Sequence, residues 1–112
     1  MRNYIIIGIL LLTLVSCYKP GEISIENNVS NATLNDIYWG DIYLTSDLLP
    51  GESSNPKVIN KTTEKLPASY RVSFVLEANN KKVYLETDEE FLLDEDDQIL
   101  IVIDDETLVV NK

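Results

Sequence analysis

Eleven carboxylates crowd the stretch from Glu86 to Glu106, and no lysine or arginine stands between Lys82 and Lys112. Hard oxygen ligands at this density are what Ca²⁺ uses, provided six or more oxygens converge on one point. Asp94-x-Asp96-x-Gln98, with Asp97 inside it, follows the opening of an EF-hand loop. The sixth position of such a loop needs glycine for its sharp turn and here holds Ile99. A solvated rim of acidic turns is therefore expected, with Asp94, Asp96 and Asp97 as the metal candidates and no cofactor. Histidine is absent, which removes Ser-His-Asp and Cys-His catalysis. Gly51-Glu52-Ser53-Ser54-Asn55 begins like a nucleophile elbow but lacks the closing glycine. No enzyme is expected. Tyr38, Trp39 and Tyr43 form a third group, readable as an aromatic ligand platform or as a core tryptophan between surface tyrosines.

Cys17 is the chain's only cysteine, so it has no disulfide partner within the chain. It closes an apolar run from Tyr4 to Val15 that follows Arg2. Twelve helical residues reach about 18 Å, well short of a hydrocarbon core about 30 Å thick. A signal-peptide core fits better than a membrane span. Leu14-Val15-Ser16-Cys17 resembles the bacterial lipobox. The resemblance implies cleavage after Ser16, a diacylglyceryl thioether on Cys17 and a membrane anchor, with residues 17–21 as a short tether and 22–112 as the domain. Two or more acyl chains anchor stably where one binds marginally. Tyr18, where aspartate would signal inner-membrane retention, implies the outer membrane in a two-membrane bacterium.

These groups need elements to hold them, and period-two alternation supplies strands. Ile23 and Ile25 alternate with Ser24 and Glu26, before a polar turn over Asn27 to Asn31. Leu34 to Trp39 is a second strand, interrupted by Gly40 and resumed from Asp41 to Leu44. Residues 48–57 have loop chemistry around Pro50-Gly51, which suits a type II turn. Val58-Ile59 is a short edge strand. Tyr70, Val72, Phe74 and Leu76 share one face of a longer strand, and Asn79-Asn80 turns it into Lys82 to Glu86. Ile99 to Ile103, apolar on both faces, is expected at the centre of a sheet. A last strand runs from Thr107 to Asn111. No window carries helical spacing.

Residues 37–54, with the later strand pair 70–87, resemble small bacterial immunoglobulin-like modules of unassigned function. The expected fold is all-β: an immunoglobulin-like antiparallel β-sandwich of seven or eight short strands. The net charge of −10 excludes nucleic acid as a partner, because displacing its counterions needs clustered cations. The expected function is a monomeric, lipid-anchored, non-catalytic binding or accessory module for a protein or glycan partner at the cell envelope. A structural spacer and a calcium-dependent binding domain built on residues 86–106 are the alternatives.

Overall fold

Alternation becomes strand wherever one face can be buried. In the computed structural model, which describes residues 19–112, Ile23 and Ile25 have no exposed surface while Glu22, Ser24 and Glu26 face outward. They form β1 (Gly21–Asn28). Leu34, Ile37 and Trp39 are likewise buried on β2 (Thr33–Trp39). Their uneven spacing has a local cause. Asp36 takes a left-handed φ of 48°, and the pairing register shifts between Asn35 and Tyr38. This bulge turns Ile37 back onto the core face. β3 (Ile42–Thr45) and β4 (Lys57–Ile59) are short. β5 (Ala68–Ala78) and β6 (Lys81–Leu93) form a long hairpin. Its turn is Asn79-Asn80, with φ of 53° and 61°, the left-handed pair of a type I′ turn. β7 (Gln98–Asp104) and β8 (Val109–Asn111) follow.

The strands pair as a three-stranded sheet, β4-β1-β7, and a five-stranded sheet, β3-β2-β5-β6-β8. Among the described residues the chain is an all-β sandwich of eight strands without a helix, as the alternation implies. Every pairing is antiparallel except β1 with β7, which is parallel from Glu22↔Gln98 to Asn28↔Asp104. Ile23, Ile25, Ile101 and Ile103 of one sheet meet Leu34, Trp39, Val72 and Phe74 of the other in one core. No helix among the described residues is long and apolar enough to cross a membrane.

Three expectations are corrected. Asn27 and Asn28 belong to β1 rather than to a turn, and Asn27 is fully buried. β7 is an edge strand rather than a central one, so Leu100 and Val102 lie exposed on the outer face. Its inner residues alone enter the core. The strand begun at Lys82 continues to Leu93, so Glu86 to Glu90 lie in β6 instead of in turns. Thr87 makes this possible. Register shifts between Arg71↔Glu90 and Ser73↔Glu86, leaving three residues of β6 opposite Val72. Buried Thr87 fills the gap: its hydroxyl accepts from the Val72 amide at 3.0 Å and donates to the Glu89 carbonyl at 2.8 Å.

Gly40 ends β2 with φ +60°, and a Cβ there would sit 2.7 Å from the Tyr70 ring. That ring cannot retreat easily. It packs edge-on against Trp39 at 5.0 Å, and its hydroxyl donates to Glu64 at 2.9 Å. Gly40→Ala is expected to cost about 3 kcal/mol, combining the left-handed penalty with a core clash. Urea unfolding of the two proteins measures it. A difference below ~0.5 kcal/mol would mean that the ring yields.

Candidate functional site

The outer face of the five-stranded sheet gathers the exposed aromatic groups. Tyr38 faces Tyr43 on the neighbouring strand, with ring centroids 5.5 Å apart and edge-on. Tyr38 also pairs with Ser73, and Ser73 with Glu86. Tyr84 stands one rung away, 61% exposed. The small, buried Ser73 leaves a dip in this row of larger side chains. Lys112 reaches into the dip, its ammonium donating to the Ser73 hydroxyl at 3.2 Å. Two hollows meet at Ser73 and Lys112. One, about 220 Å³, runs between Tyr38 and Tyr84 past Asp36. The other, about 360 Å³, runs past Arg71 and Glu86 to Asp41 and Glu90. Arg71 and Glu86 are paired at 3.4 Å, half exposed, so the pair orients the groove's donors and acceptors more than it stabilises the fold.

Trp39 is not part of this face. It is completely buried, and its indole N–H donates to the Phe91 carbonyl at 2.9 Å. Of the expected aromatic trio the structure joins Tyr38 and Tyr43, and it puts Trp39 on the opposite side of the sheet. Tyr84, Arg71 and Lys112 were missed. Tyr84 sits in a segment whose facing could have been read from the Asn79-Asn80 turn. Lys112 could not, because its place depends on the return of β8 beside β6. No family model, curated protein or solved structure matches this chain.

The acidic residues are dispersed and used locally. The Asp94 carboxylate accepts from the Glu95 amide at 2.7 Å, and that of Asp97 from the Asp94 amide at 2.9 Å. Asp96 lies 3.9 Å from the Lys19 ammonium, both exposed. Asp104 caps its own turn at the Glu106 amide. Asp105 crosses to the β1–β2 turn, accepting from the Ser30 amide and hydroxyl, which holds its carboxyl below the ordinary value. The two acidic turns lie at opposite ends of β7, about 20 Å apart at a strand's rise per residue. Among the described residues no three acidic, histidine or cysteine side chains gather to hold a metal.

Calcium is accordingly expected to have no specific effect on melting. A site with a dissociation constant of ~0.1 mM would, at ~10 mM Ca²⁺, add about 2.7 kcal/mol. For a domain near this size that is a shift of at least ~10 °C. Diffuse screening gives a few degrees, and NaCl at equal ionic strength reproduces it. A large shift specific to Ca²⁺, lost in Asp94→Asn with Asp96→Asn, would restore the calcium reading.

Proposed function

We propose that this protein is a lipid-anchored, non-catalytic binding module of the bacterial cell envelope with an immunoglobulin-like sandwich. Its ligand is a glycan, held on the outer face of the five-stranded sheet. The observation that carries this reading is the groove between Tyr38 and Tyr84, floored by Ser73 and joined to the Arg71–Glu86 pair. Tyrosine offers a rigid apolar ring at low entropic cost, with a hydroxyl at its tip. A sugar ring presents one apolar face for such a ring and hydroxyls around its rim. Arg71, Glu86, Lys112 and Asp36 supply donors and acceptors at that rim. An open groove without a catalytic constellation suits retention rather than turnover.

The anchor is proposed at Cys17, in the signal that precedes the described residues. Leu14-Val15-Ser16-Cys17 supports it, and outer-membrane placement follows from Tyr18 if the source has two membranes. Where residue 20 enters the domain, its carbonyl accepts from the Asp96 amide at 3.2 Å. A tether leaving there puts the Asp94–Asp97 turn near the membrane. The Asn79-Asn80 tip then points away, about 30 Å further out along the hairpin. The groove lies between them, facing sideways into the envelope space.

Two measurements test the two halves. Envelope polysaccharide fragments are titrated against the protein and against Tyr38→Ala and Tyr84→Ala. Both substitutions are at partly or largely exposed positions and are expected to leave folding intact while weakening binding about tenfold each. Equal binding by all three proteins would move the glycan off this groove, and no binding by any would leave the spacer role as the better account. Separately, Cys17→Ser is expected to abolish palmitate labelling and release the protein from the membrane fraction.

A further inference from the structure

Besides the groove, the sandwich has an open side. Three of its four edge strands, β3, β4 and β8, are only three or four residues long. β7 has seven, with no proline, no lysine and no bulge in its register with β1. Those are the devices that ordinarily guard an exposed edge. Among the described residues no strand pairs with its other side. The Glu22 amide donates to the Asp97 carbonyl at 2.8 Å, which fixes the phase of the parallel ladder. Ile99, Ile101 and Ile103 then direct their backbone groups to β1, and Leu100 and Val102 direct theirs outward. The side chains of Leu100 and Val102 are also exposed, at 53% and 39%. Asp104 closes the edge, because its amide and carbonyl are taken by Thr107.

Facing this edge is the bulged part of β6. A cleft of about 260 Å³ separates them. Phe91, Val102 and Leu108 give it apolar walls, and Asp88, Glu89 and Glu106 stand at its rim. Beyond it, each end of β7 carries an acidic turn, Asp94–Asp97 and Asp104–Glu106. We infer that the free edge of β7 docks an extended, basic segment of a protein partner by strand addition. Backbone bonds to Leu100 and Val102 set its path. Side chains on its outer face rest beside those of Leu100 and Val102 and are apolar. Alternate side chains point into the cleft, where a lysine or arginine lays its aliphatic stem on Phe91 and reaches Asp88 or Glu89. The partner segment therefore alternates apolar and basic residues. A second copy of this chain does not fit. Antiparallel pairing of two β7 edges would bring the Asp94–Asp97 turn of one copy beside Asp104–Glu106 of the other.

The test uses the full chain labelled with ¹⁵N and a short capped peptide of alternating lysine and valine. Binding is expected to slow hydrogen exchange at the Leu100 and Val102 amides and to leave that of Ile99 and Ile101 unchanged. A peptide of the same composition with its lysines in one block should bind about tenfold weaker, as should one methylated at alternate backbone nitrogens. Leu100→Lys with Val102→Lys changes only exposed side chains and is expected to abolish the protection while the spectrum stays folded. Equal affinity for the three peptides, or no change in exchange at Leu100 and Val102, would reduce the effect to diffuse charge attraction and overturn the assignment. Protection of those two amides in the chain alone, growing with concentration alongside a dimeric sedimentation mass, would overturn it in favour of self-pairing.

Discussion

Trp39→Ala is expected to remove about 4 kcal/mol of stability. For a domain of this length the total lies at ~5–14 kcal/mol, so the loss takes more than a quarter of it. Trp39 has no exposed surface and stands between the two sheets. Its ring meets Tyr70 edge-on, and Tyr70 in turn covers Gly40 and holds Glu64. Its N–H spans β5 to reach the Phe91 carbonyl in β6, below the Thr87 bulge where the regular ladder is interrupted. The side chain therefore fills volume and also ties β2 to β6 across the strand between them. Trp39→Phe separates the two roles. It keeps most of the apolar contact and loses the bond, for an expected cost of about 2 kcal/mol. Urea midpoints for the three proteins, at unchanged slope, give both values. If Trp39→Phe were as harmful as Trp39→Ala, the bond to Phe91 would dominate. If it were neutral, the bond would contribute nothing. The glycan binding proposed for the outer face is expected to survive Trp39→Phe, since the buried indole does not reach that face.

Some of this architecture is legible in the chain because a local rule decides it. Asn79-Asn80 can adopt the left-handed pair that a two-residue hairpin needs, and Pro50-Gly51 supplies the turn in which the Glu52 amide bonds the Leu49 carbonyl at 3.0 Å. Val72 and Phe74 alternate against Arg71 and land in the core. Rules of this kind fail where the partner is distant in sequence. Ile99 to Ile103 is apolar on both faces whether a second layer covers the outer face or nothing does, and only the sheet order distinguishes the two. The charges of Glu86, Asp88, Glu89 and Glu90 suggest a loop, yet each can point outward from a strand once Thr87 repairs the ladder. The aromatic face was half legible. Tyr38 and Tyr43 are neighbours through a tight turn, while Tyr84, Arg71 and Lys112 join them through pairings of β5, β6 and β8.

Asn27 is the sharpest case of a residue whose type misleads, and it carries the second large prediction. An asparagine among Asn28, Ser30 and Asn31 reads as turn chemistry. Here it is fully buried, and its side-chain amide bonds three backbone partners. The NH₂ donates to the Ala32 carbonyl at 2.9 Å and to the Leu48 carbonyl at 2.8 Å. The side-chain oxygen accepts from the Val29 amide at 2.9 Å. One side chain thus ties the β1–β2 turn to the loop after β3, 21 residues away. Asn27→Ala is expected to cost about 3 kcal/mol, chiefly from the Ala32 carbonyl left buried and unpaired. Asn27→Asp keeps the shape and reverses the chemistry. The new carboxyl faces two carbonyl oxygens, so its ionised form is repelled and its proton is held. Its value in the folded state is raised above that of the unfolded chain. The stabilising bond is then fully present below the ordinary aspartate value and is lost as pH rises through the raised one. The wild-type domain behaves oppositely at Asp105. Ser30 lowers that carboxyl, whose contribution is present above the ordinary value and fades as pH falls through the lowered one. Urea unfolding from pH 7 down to about pH 4 is therefore expected to narrow the gap between Asn27→Asp and wild type, while the gap for Asn27→Ala stays constant. A gap for Asn27→Asp that did not change with pH would mean that water enters and solvates the new carboxylate, and that the site around Asn27 is not closed.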